Sequence, residues 1–197
     1  MTDMVRPGGR TARVREAVLR ATGDVLAERG FAQLDLGYLA QRAEVGKTTV
    51  YRRWGSVEAL LADLLVDMAA QSLPRTDLGV LEDDLLANAR LVVSTLNDGR
   101  QGALFRAVIS AATTDRRTAG ALHGFYETRV REWAPCVTAA AERGEVPAGT
   151  DSREVIRAVS APLYYRMLTS ALPLDEAAAV RSAGAAATAA RAGVFVR

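Results

Sequence analysis

Cysteine, histidine and lysine each occur once in this chain, as Cys136, His123 and Lys47. A single cysteine excludes an internal disulfide. One Cys and one His fall short of the four ligands of a structural zinc site, so no metal is expected. Both lie in an amphipathic helical stretch, where a buried thiol is usually inert, and they are not read as a catalytic pair. Long hydrophobic runs are missing too. None approaches the roughly 20 apolar residues that span a bilayer, so no membrane partner is expected. The first ten residues lack the apolar core of an export signal, and the expected location is cytoplasmic. Strand signals are also absent: no stretch alternates apolar and polar residues with Val, Ile and Thr enrichment.

The chain has 197 residues, 49% of them hydrophobic, enough to bury an ordinary core without disulfide or metal. Net charge is only +2, but it is unevenly spread. Residues 1–54 carry ten Arg/Lys against six Asp/Glu, whereas 55–197 carry fifteen against seventeen. A basic N-terminal quarter on a mildly acidic remainder points one end toward a polyanion.

The periodicity is helical throughout. Val14, Ala17, Val18, Ala21 and Val25 recur at three- and four-residue spacing in a first helix over about 12–29, stopped by Gly30. A short second helix covers about 36–43, with Asp35 as N-cap and Leu36, Leu39, Ala40 and Ala43 as its apolar face. A third runs over 47–54. Gly55 and Ser56 break it, and Ser56 caps a fourth helix whose Val57, Leu60, Leu61, Leu64, Leu65 and Met68 form one stripe. After a connector at 74–79, helices are expected at about 81–96, 101–112, 116–143, 152–171 and 174–192. Pro135 is expected to interrupt the third of these, and Pro162 to kink the fourth. The acidic run Glu82-Asp83-Asp84 suits a helix N-terminus. The fold class is all-α, with three short N-terminal helices before a larger bundle.

The most specific signal lies in 31–55. Two short helices about three residues apart have helix-turn-helix spacing. With Leu36, Leu39, Ala40, Val45 and Val50 turned inward, Lys47, Thr48, Thr49, Tyr51, Arg52 and Arg53 point outward. These are the cations, hydroxyls and guanidinium groups with which a helix engages phosphates and base edges in a major groove. Gly46-Lys47-Thr48-Thr49 also looks like the end of a phosphate-binding loop. That loop requires a further glycine where Gln41 stands, and a preceding strand where the pattern is helical, so an NTPase is rejected. No paired carboxylates in an apolar setting, nucleophile–base set or cofactor loop is found, and neither enzymatic activity nor a cofactor is expected.

The run Leu39-Ala40, Ala43, Val45, Lys47 and Thr49 to Trp54, followed by Ser56 to Leu61, resembles the DNA-binding signature of the TetR family of transcriptional regulators. The tail elements Gly144-Glu145-Val146-Pro147, Asp151 and Ala161 to Arg166 resemble C-terminal domains of that family. The resemblance implies a helix-turn-helix domain over 1–55, a connecting helix 4 at about 56–73, and a regulatory and dimerisation domain over 56–197. It assigns Lys47, Tyr51 and Arg53 to phosphate, and Thr48, Thr49 and Arg52 to bases. Tyr38 and Gln41 are backbone contacts, with Arg6, Arg10 and Arg13 as further contacts from an arm. Two positions depart from the family pattern: Glu44 replaces a turn glycine and is expected to adopt a left-handed conformation, and Asp35 replaces a hydroxyl residue.

The resemblance further implies a repressor that binds a palindrome in double-stranded DNA as a homodimer and is released by a small-molecule effector. The last two helices are the expected dimer interface, through Val155, Ile156, Val159, Leu163 and Met167, then Ala179, Ala183, Ala187 and Ala190; an intramolecular core is the alternative use of that face. Candidate pocket residues are Phe105, His123, Phe125, Tyr126, Trp133, Tyr164, Tyr165 and Met167, large or polar-tipped side chains suited to a mostly apolar wall. A bundle that docks another protein in place of a ligand is the competing reading.

Overall fold

The computed structural model describes residues 9–70 and 78–197, with the backbone alone at Arg10. Arg6 and most of the expected connector at 74–79 lie outside the described residues. Within them the chain is all-α: α1 (Arg10–Arg29), α2 (Leu36–Arg42), α3 (Lys47–Arg53), α4 (Val57–Ala70), α5 (Leu81–Asn97), α6 (Gly99–Ala112), α7 (Arg116–Glu142), α8 (Ser152–Thr169) and α9 (Glu176–Arg191). A 3-10 turn, Phe31–Gln33, joins α1 to α2, and Thr150 and Val196 form an isolated antiparallel bridge.

Capping explains most boundaries. Asp35, Asp151 and Asp175 each accept a backbone N–H of the helix that follows, and Ser56 accepts from Ala59 at 3.2 Å. Gly30 ends α1 at φ 75°, a conformation costly for any side chain. One expectation fails: α7 runs unbroken through Pro135. That proline is exposed, as is Arg131 one turn earlier, so the carbonyl it leaves unpaired is accessible to water. α8 likewise continues through the exposed Pro162.

The chain packs as two compact units. One comprises the described residues up to Asp67 together with Gly99–Leu122. Its core draws Val18, Val25 and Leu26 from α1, Leu39 from α2, Val50 from α3, Leu60, Leu61 and Leu65 from α4, and Phe105 and Val108 from α6. α6 packs on α1. Gly23 leaves room there for Arg100, which donates to the Arg20 carbonyl at 2.5 Å and pairs with Asp24 at 3.2 Å.

The other unit holds the described residues of Met68–Asp98 and His123–Arg197. α5 packs against α8 and α9, which also pack on each other. Val155, Ile156, Val159, Leu163, Ala179, Ala183, Ala187 and Ala190, expected at a subunit interface, are instead buried inside the protomer. Small residues let α9 approach its own neighbours closely, and the same periodicity serves either purpose. Among the described residues the acidic run at the start of α5 also divides: Glu82 and Asp83 are exposed, but Asp84 is fully buried. Its Oδ1 accepts from the Leu78 N–H at 3.0 Å, while its Oδ2 and the Oδ1 of buried Asn88 have no hydrogen-bond partner. Glu145 reaches α5 from the loop before α8, accepting the Leu81 N–H at 3.0 Å and the Arg143 Nε–H at 2.7 Å.

Candidate nucleic-acid interface

The turn between α2 and α3 is built backbone-first. Asp35 accepts the Tyr38 N–H at 2.8 Å and so starts α2. The chain then leaves α2 through Glu44, the one non-glycine residue with positive φ (56°) among those described. This lets the Val45 N–H reach back to the Ala40 carbonyl at 2.9 Å. α3 starts at Lys47 with no side-chain cap at Gly46, and it is pinned from below by Val50 and, just past its end, by Trp54.

With those two side chains inward, Lys47, Thr48, Tyr51, Arg52 and Arg53 are exposed and Thr49 is half-buried. Gln41 is exposed on α2. Tyr38 is half-buried, with the Arg29 guanidinium 5.0 Å above its ring, and Arg42, at the end of the same helix, pairs with Glu28. Lys47 lies against α2: its Cε and Nζ are 3.6 Å from where a Gly37 Cβ would stand. Exposed Arg13 lines an open cleft with Val14, Ala17 and Val45. The exposed face therefore carries Lys47, Arg52 and Arg53 within two turns, beside three hydroxyl groups.

A set of residues not anticipated from sequence supports this face. Trp54 donates its indole N–H to Asp63 Oδ2 at 3.0 Å. Asp63 also receives Arg15 Nε at 3.1 Å and Nη2 at 2.9 Å, and Arg15 Nη1 reaches Asp67 at 2.6 Å. The Arg53 guanidinium lies 5.2 Å above the Trp54 ring. Burial pushes the Asp63 carboxyl up, but the bonds from Arg15 and Trp54 outweigh it and hold the group below its ordinary value. The available signal was the pair Asp63 and Asp67, one turn apart in a helix whose only other charged residue is Glu58 in its first turn.

The candidate pocket residues divide. Phe125, Tyr126 and Tyr164 come together, with ring centroids 5.7 Å apart for the first pair and 5.2 Å for the second, both edge-on. Arg129 lies 5.2 Å above the Phe125 ring. Burial pushes the Tyr126 hydroxyl up to about 12, partly countered by its hydrogen bond with Tyr164, and burial likewise raises Tyr164. Trp133 is buried and Met167 half-buried in this unit, whereas His123 and Tyr165 are exposed. Phe105 is core in the other unit.

Comparison with known proteins agrees across the chain. Residues 18–64 match a family model described as bacterial regulatory proteins, tetR family, and 75–186 match the tetracyclin repressor-like C-terminal domain. The HTH-type transcriptional regulator AqdR of Rhodococcus erythropolis is 31% identical over 167 residues, covering 79% of this chain and 77% of that one. An uncharacterized HTH-type regulator of Bacillus subtilis, YdeS, is 27% identical over 154 residues, 78% of this chain and 77% of its own. The crystal structure of the TetR family regulator SCO0332 superposes with a TM-score of 0.69 at 29% identity, covering 89% of this chain and 97% of that one. A Mesorhizobium loti structure with the same score and 20% identity, over 93% and 97% of the two chains, shows the fold alone. The helix-turn-helix, the helical C-terminal domain and both family matches converge: this chain belongs to the TetR family of DNA-binding transcriptional regulators, which are not enzymes.

Proposed function

We propose that this regulator is a cytoplasmic repressor that binds a palindromic operator as a homodimer and is released by a small molecule. The observation that carries the reading is the exposed face of α3, where three cations and three hydroxyl-bearing side chains surround a helix anchored by Val50 and Trp54. Lys47, Tyr51 and Arg53 take phosphates, Thr48, Thr49 and Arg52 take base edges, and Gln41 and Tyr38 take the flanking backbone. Residues 1–55 form the reading domain, helix 4 connects, and the rest senses and dimerises.

The interface between subunits uses the faces of α8 and α9 that the protomer leaves open. Pro162, Tyr165, Leu168 and Val180 are exposed there, with Leu172 beyond the end of α8. Two subunits place their α3 helices one DNA turn, about 34 Å, apart. The effector site draws on Phe125, Tyr126 and Tyr164, an aromatic wall with hydroxyl groups to orient a ligand. A ligand that prefers a subunit spacing mismatched to the operator weakens DNA binding by linkage.

The test is binding to duplex from beside the protein's own gene, against random duplex, over a salt titration. Two subunits per palindrome and a clear preference for the native duplex are expected. Arg53→Ala weakens binding to both duplexes and flattens the salt slope by about one. Thr49→Ala and Arg52→Ala selectively lose the preference. No binding at low salt refutes the reading.

A further inference from the structure

We infer that Asp63, on α4 and outside the DNA-facing set, is a positioning residue: it fixes the Trp54 ring on which the Arg53 guanidinium rests. The inference rests on the proposed reading of α3 as the DNA-facing helix.

The need for such a residue follows from the size of α3. Seven residues make a helix of about 10 Å, too short to hold its shape or direction alone. Its start has no side-chain cap, so its orientation depends on the residues that point inward near its end. Trp54 is the larger of these and is almost fully buried. Its ring carries one polar atom, and a buried indole N–H requires an acceptor. Asp63 supplies one at 3.0 Å. The carboxylate is itself immobilised, because Arg15 of α1 bonds both its oxygens and, at 3.3 Å, its backbone carbonyl. Arg15 is held in turn by Asp67, one turn further along α4. The indole is thus tied to two helices through one carboxylate.

Arg53 uses the outer face of that ring. A guanidinium 5.2 Å above an indole gains a cation–π attraction, and its long side chain is restricted before it meets a phosphate. Less conformational freedom then remains to be lost on binding. Asp63 therefore acts on DNA affinity through a residue it supports, with no contact of its own to the duplex.

The test compares Trp54→Phe, Asp63→Asn and Asp63→Leu with the parent and with Arg53→Ala, reading DNA affinity, salt slope and thermal midpoint in the full chain. Trp54→Phe keeps a ring but removes the N–H, and is expected to weaken DNA binding about two- to fivefold and to flatten the salt slope toward that of Arg53→Ala. Asp63→Asn retains an acceptor for the indole, so it lowers the thermal midpoint through Arg15 while leaving the slope near the parent's. Asp63→Leu removes both interactions and should match the flattened slope of Trp54→Phe. If Asp63→Leu does not fold, the contrast between the other two variants decides. A parent-like slope and affinity for Trp54→Phe overturns the inference. Should Arg53→Ala itself keep the parent's slope, the assignment of Arg53 to phosphate fails first. Should Arg53→Ala flatten it and Trp54→Phe not, only the role of Asp63 falls.

Discussion

At the scale of single residues, the turn between α2 and α3 holds the clearest local strain. Glu44 sits at φ 56°, where a side chain crowds the backbone at a cost of about 1 kcal/mol or more. Glu44→Gly is expected to raise stability by about 1 kcal/mol at most, since glycine gives back part of the gain as chain entropy. It also removes a carboxylate beside the proposed DNA face, so operator affinity should rise. An unchanged thermal midpoint would show that the strain relieved is no larger than the chain entropy that glycine adds. Asp63 makes a prediction in pH. Its folded-state value is depressed, so its stabilising contribution is complete above the ordinary carboxylate range and disappears as pH falls through the depressed value. The difference in thermal midpoint between parent and Asp63→Asn should therefore shrink on acidification; a constant difference would contradict the ion pairing. The left-handed turn at Glu44 was legible because the family resemblance puts a turn glycine at that position. The Asp63 network was not, because its partner Arg15 is 48 positions away and no local periodicity records it.

Among the elements, helix starts were legible wherever a capping side chain announced them, as Asp35 does for α2. α5 shows where that logic stops. Its N-cap position is Val80, which has no side chain able to cap, and the acceptor for the Leu81 N–H arrives from Glu145 in the loop before α8. The sequence motif Gly144-Glu145-Val146-Pro147 thus acquires a structural role at a helix remote in sequence. Glu145→Ala should cost about 1 kcal/mol, in the range of a lost N-cap, and raise hydrogen exchange at the first turn of α5 before other helices respond. Uniform exchange across the bundle would argue against a local capping role. Pro135 illustrates the opposite limit. A proline ends a helix when the carbonyl it frees is buried, and sequence alone does not report which side of α7 faces water.

For the whole molecule, the question is which surfaces meet. The alanine stripe of α9 had the pattern of a subunit interface and proved to be core, because periodicity marks a face for burial without naming what buries it. Deleting α9 would consequently unfold its unit and report nothing about assembly. Charged substitutions on the open face are the informative change. Leu168→Glu with Val180→Glu should yield a monomer by sedimentation with unchanged helical content, and should lose most operator affinity because one half-site is read at a time. A persistent dimer would locate the interface elsewhere. Fold class and the exposed side of α3 were readable because both follow from short-range spacing. The grouping of Phe125, Tyr126 and Tyr164 apart from His123 and Tyr165 was not, since it depends on how separate helices pack.

Lys47, exposed at the first position of α3, is the chain's only lysine. Every other cationic side chain is arginine. Reductive methylation with isotopically labelled formaldehyde would consequently place one side-chain dimethylammonium signal in the entire spectrum. That signal sits on the surface proposed to meet DNA, and it would report docking and release from one resonance without any engineered label.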